Sequence, residues 1–473
     1  MTALVPVVTV VTAVLVVYYL VYNLVYLLLV VRAAAAITQE LAWPAELTHA
    51  LTFANPLAPG VTVIVPAHDE EAVILDSVRA LLALRYPRTE VVVVDDASTD
   101  RTAALLTDAF DMVPDALAVT PGVEQVGPTT HTLRSRTDPG MVLVRKESVG
   151  RRSDAVNAGL RVASHDLVCM IDADSILDPD ALLHVVQPFI DDDAVVAAGG
   201  VVLPSNGAGV RRGRIVSTRV PRSLVVRTQV LEYLRAFLVG RSGWSSLNGL
   251  LIISGAFGIF RRQAVVDLGG LDATSLAEDA DLVVGLHRMM RRRGQAFRVV
   301  FCPEPVCWTE APSDLGALRR QRERWSEGLA ELLSKYRGMV GRPRFGVLGV
   351  VTMPYFLLFE LIGPFVQLLG LATVVVGLAT ATLPGSLLWL YVGASALLGT
   401  LSSLAAILVE EVSFARYPRA RDVLALVVTA FLEPFWFQPL HTWWRIVGVV
   451  RALRGKESEW GEMVRAGFTH ADG

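Results

Sequence analysis

Cysteine is scarce in this chain: 473 residues hold three, Cys169, Cys302 and Cys307. That count excludes a disulfide framework as the source of stability. Cys302 and Cys307 stand five apart with two prolines between them. No histidine or second cysteine pair lies near, so they read as core or loop residues rather than a zinc site. They fit a reducing compartment for the segment that holds them. Charge is also scarce, at 19% of residues, against about 25% in a soluble domain. The net charge of −3 gives no footprint for a polyanion, and no nucleic-acid partner is expected. The deficit is uneven. Residues 1–31 and 361–409 contain no Asp, Glu, Lys or Arg, whereas residues 60–345 are charged like a soluble enzyme. With 53% hydrophobic residues and a mean hydropathy of +0.47, the chain reads as membrane segments around a soluble core.

Leu4 to Val31 form one apolar run. As a helix it spans roughly 42 Å, more than a ~30 Å hydrocarbon core. A secretory signal is excluded by its length and by the lack of a basic start. Arg32 follows at once and favours the cytoplasmic side for the C-terminal flank. This gives a transmembrane helix over 1–32 and a linker over 33–59. Residues 347–442 hold the C-terminal transmembrane or re-entrant helices. Val347–Leu383 is broken by Pro354, Glu360 and Pro364, and Ser386–Val409 is a clear span. Arg416, Arg419 and Arg421 mark a cytoplasmic loop. Val423–Gln438 carries Glu433 and Pro434. Residues 443–473, with Trp443, Trp444, Arg445, Arg451, Arg454 and Lys456, read as an amphipathic tail on the cytoplasmic surface. A full crossing by Val423–Gln438 would put those basic residues outside. Either that segment is re-entrant or Val347–Leu383 splits differently. Three or four membrane elements are expected after the soluble domain. The chain is expected in the cell membrane as a multi-pass protein with its soluble domain cytoplasmic.

Within 60–310, β-branched runs at Val61–Val65, Val91–Val94, Val142–Val144, Leu167–Ile171 and Val195–Val201 alternate with helical stretches at Glu70–Leu84, Asp100–Phe110, Asp154–Ala163 and Pro179–Ile190. That order predicts an α/β fold with a mostly parallel, Rossmann-like sheet, which binds ligands beyond the carboxyl ends of its strands. Acidic residues fall at those ends: His68-Asp69-Glu70, Asp95-Asp96 and Asp172-Ala173-Asp174. Clustered carboxylates repel unless a cation or donors compensate them. Asp100 and Asp178 have a simpler reading as helix caps. The Asp172/Asp174 pair at a strand end suits one hard cation that in turn holds a diphosphate. Residues 112–139 read as a polar surface loop between strands. Arg227–Phe260 reads as an amphipathic helix followed by an apolar segment, in which Trp244 serves either packing or a ligand path.

Seven motifs follow in order: VPAHDE (65–70), VDDASTD (94–100), GRRSDAVNAG (150–159), DAD (172–174), SGAFGIF (254–260), AEDADL (277–282) and QRERW (321–325). From about Val61 to Arg337 the chain resembles the processive family 2 glycosyltransferases, the group of cellulose, chitin, hyaluronan and poly-N-acetylglucosamine synthases. The resemblance implies a cytosolic GT-A-like domain flanked by transmembrane and interfacial helices, the latter over 311–346 with the QRERW motif. It implies a UDP-sugar donor and Mg²⁺ or Mn²⁺. It places His68, Glu70, Asp96, Arg152 and Asn157 around the nucleotide, Asp172 at the nucleotide sugar and metal, and Asp174 at the metal. Asp279 matches the catalytic base and Glu278 its acceptor-side neighbour. Gln321 and Arg324 fall near the pyrophosphate, and Trp325 stacks on the acceptor sugar. Ala277 replaces the usual Thr, and Arg152 the usual Lys. The implied acceptor is a growing polysaccharide, with N-acetylglucosamine the favoured sugar and export coupled to synthesis. Transfer of one sugar to a lipid carrier is the alternative, and a transporter with a degenerate enzyme domain is disfavoured by the complete acidic set. Membrane lipid is an expected partner, and a small accessory membrane subunit stays open. No cytosolic regulatory domain is expected after the last membrane segment.

Overall fold

The computed structural model describes residues 4–41, 52–211, 213–380, 382 and 385–455. Residues 42–51 of the expected linker and the tail from Lys456 onward lie outside the described residues. The first helix, α1 (Leu4–Leu41), runs past the apolar stretch through Arg32.

The soluble domain is built on one ten-stranded mixed sheet. β1 (Val61–Ala67), α2 (Ile74–Leu82), β2 (Thr89–Asp96), α3 (Thr102–Ala109), β3 (Met112–Pro114), β4 (Thr129–Ser135) and β5 (Met141–Lys146) come first. Then follow α4 (Arg152–Val162), β6 (Leu167–Ile171), β7 (Ile176–Leu177), α5 (Ala181–Asp191) and β8 (Val195–Pro204). A separate two-stranded hairpin, β9 (Gly209–Arg211) with β10 (Arg214–Ser217), projects from the sheet. The order is β3-β4-β5-β2-β1-β6-β11-β8-β12-β7, where β11 is Phe257–Arg261 and β12 is Arg298–Thr309. The centre, β5-β2-β1-β6, is parallel. Its strands are buried almost end to end, which is why they read as continuous Val/Ile runs rather than alternating ones. Ala67 pairs with Asp95, and Asp96 with Lys146. This register brings the acidic strand ends to one edge. Gly159 lets α4 lie directly on β1, since a Cβ there would sit 2.5 Å from Ile64.

Residues 112–139 are not simply a loop. β3 and β4 form an antiparallel extension of the sheet at β5. β4 carries Thr, His and Arg on its exposed side, so it lacks the apolar signature of a strand.

α6 (Leu224–Tyr233) continues through a π-helical stretch, Leu234–Arg241, into a last turn at Ser242–Ser245. Trp244 is 5% exposed and meets the Tyr355 ring edge-on at 5.3 Å. α7 (Arg262–Leu268), α8 (Glu278–Arg293) and α9 (Leu315–Lys335) complete the domain. α8 starts with Glu278, Asp279 and Asp281 and ends with Arg291, Arg292 and Arg293, matching both ends of its dipole.

α10 (Leu348–Leu361) and α11 (Gly363–Ala379) form a pair bent by 45° where Ile362 and Gly363 meet. α12 (Gly385–Ser413) and α13 (Ala420–Leu453) follow. Among the described residues three helices are long and apolar enough to cross a membrane, four segments if the bent pair counts as one span. The break expected after Thr442 is absent, because α13 runs unbroken through Pro434 and Pro439. Its last turns continue the same helix as far as Leu453. They pack on α9, where a Cβ at Gly448 would lie 2.3 Å from the Glu323 carbonyl oxygen. Arg451 Nη1 sits 2.7 Å from Glu323 Oε2.

Candidate active site

The carboxyl ends of β1, β2 and β6 open into one cavity of about 2160 Å³. His68 Nδ1 lies 2.8 Å from the Asp96 carbonyl oxygen, joining the ends of β1 and β2. Asp69, at φ 54°, turns its carboxylate to the Thr99 N–H at 2.6 Å. It therefore shapes the loop, and backbone donation from Thr99 holds its pKa low. The Glu70 N–H donates to Thr102 Oγ1 at 2.8 Å.

Asp96 accepts from Lys146 Nζ at 2.6 Å and from Ser148 Oγ at 3.0 Å. Lys146 is fully buried and also pairs with Asp154 at 3.0 Å. Asp154 accepts in addition from the N–H groups of Val126 and Gly127. One buried ammonium thus orients the carboxylate expected at the nucleotide. Sequence reasoning passed over Lys146. Its signal was the strand end VRK beside the strand that ends in Asp95-Asp96.

Arg152, at the start of α4, spans the site. Its Nε is 2.6 Å from Asp172 Oδ1, its Nη1 2.7 Å from Glu278 Oε1, and its Nη2 2.7 Å from the Gly255 carbonyl oxygen. Burial opposes its charge, but Asp172 and Glu278 outweigh that and raise its pKa. The planar fork suits three acceptors in three directions, which a lysine at this position could not satisfy together. The departure from Lys to Arg therefore has a structural use.

Asn157 departs from its expected role. It is fully buried, and its amide is spent on the backbone of Glu124 and Leu271, donating at 2.8 Å to each carbonyl and accepting from the Leu271 N–H at 2.8 Å. It is absent from the cavity wall and ties α4 to two loops. A side-chain amide pairs well with a peptide group, so an Asn mid-helix without solvent is as well placed for bracing as for binding.

Asp172 and Asp174 both face the cavity, together with Glu310 at the end of β12. Burial, then Asp172 and Glu310, push the Asp174 carboxyl up to about 7. Negative charge gathered around the buried Asp174 is what a divalent cation would relieve. Among the described residues no three of His, Cys, Asp and Glu are grouped to hold an ion alone. The set fits a cation that takes one or two protein carboxylates and completes its shell with diphosphate oxygens and water.

Asp279 stands in the first turn of α8. Its Oδ2 accepts from the Gly255 N–H at 3.0 Å and its Oδ1 from the Ala280 N–H at 2.9 Å. Burial raises its pKa, with Glu278 adding to this and Arg241 and Arg152 acting against it. Arg241, from the π-helical stretch, is pulled down to about 10 by burial while Asp279 supports its charge. A raised carboxylate pKa makes the ionised group a stronger proton acceptor than a free aspartate.

On α9, Gln321, Arg324 and Trp325 all face the same cavity. Burial lowers the Arg324 pKa against the pull of Glu278, Asp172 and Asp279. Trp325 is 48% exposed, a large value for an indole on a cavity wall. Arg322 lies 4.2 Å from the Trp325 ring centre, and its Nη2 pairs with Glu232 at 2.7 Å. Arg322 thus holds the ring by a cation–π contact, a role that the motif alone did not reveal. Beyond Trp325 the cavity continues between α1, α10, α11 and α13, past Tyr22, Glu360, Gln438 and Arg445. Arg235 and Glu433 form a buried ion pair on its wall.

The profile of the family described as "Glycosyltransferase like family 2" matches residues 59–328. The poly-β-1,6-N-acetyl-D-glucosamine synthase of Staphylococcus aureus (strain COL) is 28% identical over 304 residues, 64% of this chain and 60% of that protein. Its counterpart in Staphylococcus epidermidis is 25% identical over 276 residues, 58% of this chain and 55% of that one. The aligned part thus spans about 60% of the length of these curated relatives. Among solved structures, a mannosyltransferase from Pyrobaculum calidifontis in complex with GDP-Man and Mn²⁺ is similar at a TM-score of 0.49 and 19% identity, covering 91% of this chain and 100% of that one. With the profile covering more than half of its length, the chain belongs to the glycosyltransferase-like family 2, and its soluble domain has the GT-A-like fold.

Proposed function

We propose that this chain is an inverting hexosyltransferase that moves N-acetylglucosamine from UDP-N-acetylglucosamine to the end of a growing polysaccharide. The observation that carries the reading is one continuous cavity. It holds the donor carboxylates, Asp279 and the exposed Trp325, and it extends between the membrane helices. The names of the curated relatives support the sugar.

In this reading His68, Glu70 and Asp96 receive the nucleoside, with Asp96 aimed by Lys146. Mg²⁺ or Mn²⁺ bound at Asp172 and Asp174 would supply positive charge for the diphosphate. Trp325 stacks on the terminal sugar of the acceptor, and Asp279 takes the proton of its hydroxyl. The oxygen attacks the anomeric carbon from the face opposite the diphosphate. A new C–O bond forms, the bond to the β-phosphate oxygen breaks, and the electron pair leaves with UDP. Arg324 and Gln321 stand on the leaving-group side, where a guanidinium stabilises developing negative charge. Attack from the far face inverts the anomeric centre. Arg32, just past the apolar run within α1, and the basic loop Arg416–Arg421 support a cytoplasmic catalytic domain in a multi-pass protein. The cavity between the helices is then the exit path for product.

The test is turnover of a panel of UDP-sugars by purified full-length protein with Mn²⁺ or Mg²⁺, followed by sizing of the product. Preference for UDP-N-acetylglucosamine with a polymeric product supports the reading. A single-sugar glycolipid as the sole product contradicts it.

A further inference from the structure

Two acid-free stretches bring basic residues to the surface away from the catalytic cavity. No Asp or Glu occurs from Leu282 to Pro303 or from Leu332 to Phe359. The first holds Arg288, Arg291, Arg292, Arg293 and Arg298, and the second Lys335, Arg337, Arg342 and Arg344. Three of these nine cations are neutralised from elsewhere: Arg293 by Asp267, Arg298 by Asp192, and Lys335 by Asp272 and Asp281. The other six have no carboxylate partner among the described residues. All but the half-buried Arg288 are exposed.

Packing, not sequence alone, brings the two stretches together. The short helical turn Pro343–Phe345 lies against α8. Arg291 reaches Gly346, where a Cβ would sit 2.6 Å from its Nη2, and its guanidinium carbon is 5.3 Å from the Phe297 ring. Arg344 covers Phe345 at 4.6 Å, and Arg288 covers Tyr336 at 5.7 Å. The rings are buried beneath, so the guanidinium groups are held at the surface with donors left over. None of the six lines the catalytic cavity. Two residues past Gly346 the chain enters α10, the first limb of the bent apolar pair.

We propose that this six-arginine patch binds the headgroups of anionic phospholipid at the foot of α10. The inference rests on the reading of α10 and α11 as membrane-embedded. A phosphodiester at a bilayer surface matches the patch in charge, in the fork geometry of arginine and in its place beside apolar helix. Such contacts would anchor α8, whose first turn carries Asp279, against the membrane.

The test uses the full chain in phosphatidylcholine vesicles with and without phosphatidylglycerol, and native mass spectrometry of the lipids it retains. The wild type is expected to hold phosphatidylglycerol over phosphatidylcholine by roughly tenfold, and R291Q/R342Q/R344Q to fall within about twofold of parity. R291K/R342K/R344K keeps the charge and most of the preference. Turnover in neutral vesicles, equal across the three proteins, shows that the fold is intact. An unchanged preference in the glutamine variant, or none in the wild type, overturns the proposal. So does selective binding of short RNA in place of phosphatidylglycerol. Failure of every protein to enter vesicles would instead overturn the membrane reading beneath it.

Discussion

Removing the charge of Arg152 tests the core of the site. The guanidinium joins Asp172 at 2.6 Å, Glu278 at 2.7 Å and the Gly255 carbonyl at 2.7 Å. Arg152→Met keeps the bulk and deletes every donor. Glu278 is left at 12% side-chain exposure, and Asp172 at 32%. Breaking a buried pair by removing one partner costs about 3–5 kcal/mol. Asp172 regains water, so the lower end applies, about 3 kcal/mol, or a fall of roughly 6–12 °C in melting temperature for a domain of this size. Arg152→Met/Glu278→Gln removes the stranded charge as well and should recover part of that loss, a coupling that a double-mutant cycle reads directly. Transfer should fall more than stability suggests, by about 10²-fold, because the donor-side and base-side carboxylates lose their common brace. Arg152→Lys should lie between, since one ammonium cannot reach all three acceptors. Melting by scanning fluorimetry and sugar transfer measured on the same samples decide the matter. If Arg152→Met melts within about 1 °C of wild type and transfers normally, the brace has no function.

Other residues give separate outcomes. Asp279→Asn should lower transfer by about 10²–10⁴-fold while leaving UDP binding intact, as titration calorimetry with UDP would show. Lys146→Met strands Asp96 and Asp154 and should cost about 3–5 kcal/mol, with a raised KM for the donor, measured by melting and by steady-state kinetics. Asp174 titrates in the folded protein at about 7 through burial and its acidic neighbours, against 3.8 unperturbed. Its ionised form is therefore a folded-state penalty, absent below the unperturbed value, growing between the two and complete above the upper one. Metal-free Asp174→Asn should consequently melt higher than wild type at alkaline pH, with the gap narrowing on acidification, and Mn²⁺ should stabilise wild type more than the variant.

The parallel centre was legible because strands buried on both faces leave unbroken Val/Ile runs, and their acidic ends stand out against them. β3 and β4 were not, since an edge hairpin faces water and β4 reads TTHTLRS. The continuity of α13 was hidden by Pro434, Pro439 and a cluster of Trp and Arg. The close approach of Gly448 to α9 is a tertiary contact that the sequence pattern does not show. His68, Asp96, Asp172, Asp279 and Trp325 line one cavity. Asn157 does not, because its motif position records bracing between loops. Lys146, Glu310 and Arg241 belong to no motif read from the chain, and Arg322 lies inside QRERW with no role that the motif assigns. Their partners lie tens to hundreds of residues away, and pairing at that range is set by strand register and helix packing.

The central claim is that donor site, Trp325 and membrane cavity serve one growing chain. Its most direct test is the size of the labelled product when UDP-N-acetylglucosamine is in excess and the protein is reconstituted in sealed vesicles. The account predicts long polymer from the earliest time points, protected inside the vesicles, and a shift to short products and free sugar for Trp325→Ala. Product that stays at one sugar, or polymer of unchanged length from Trp325→Ala, would contradict it.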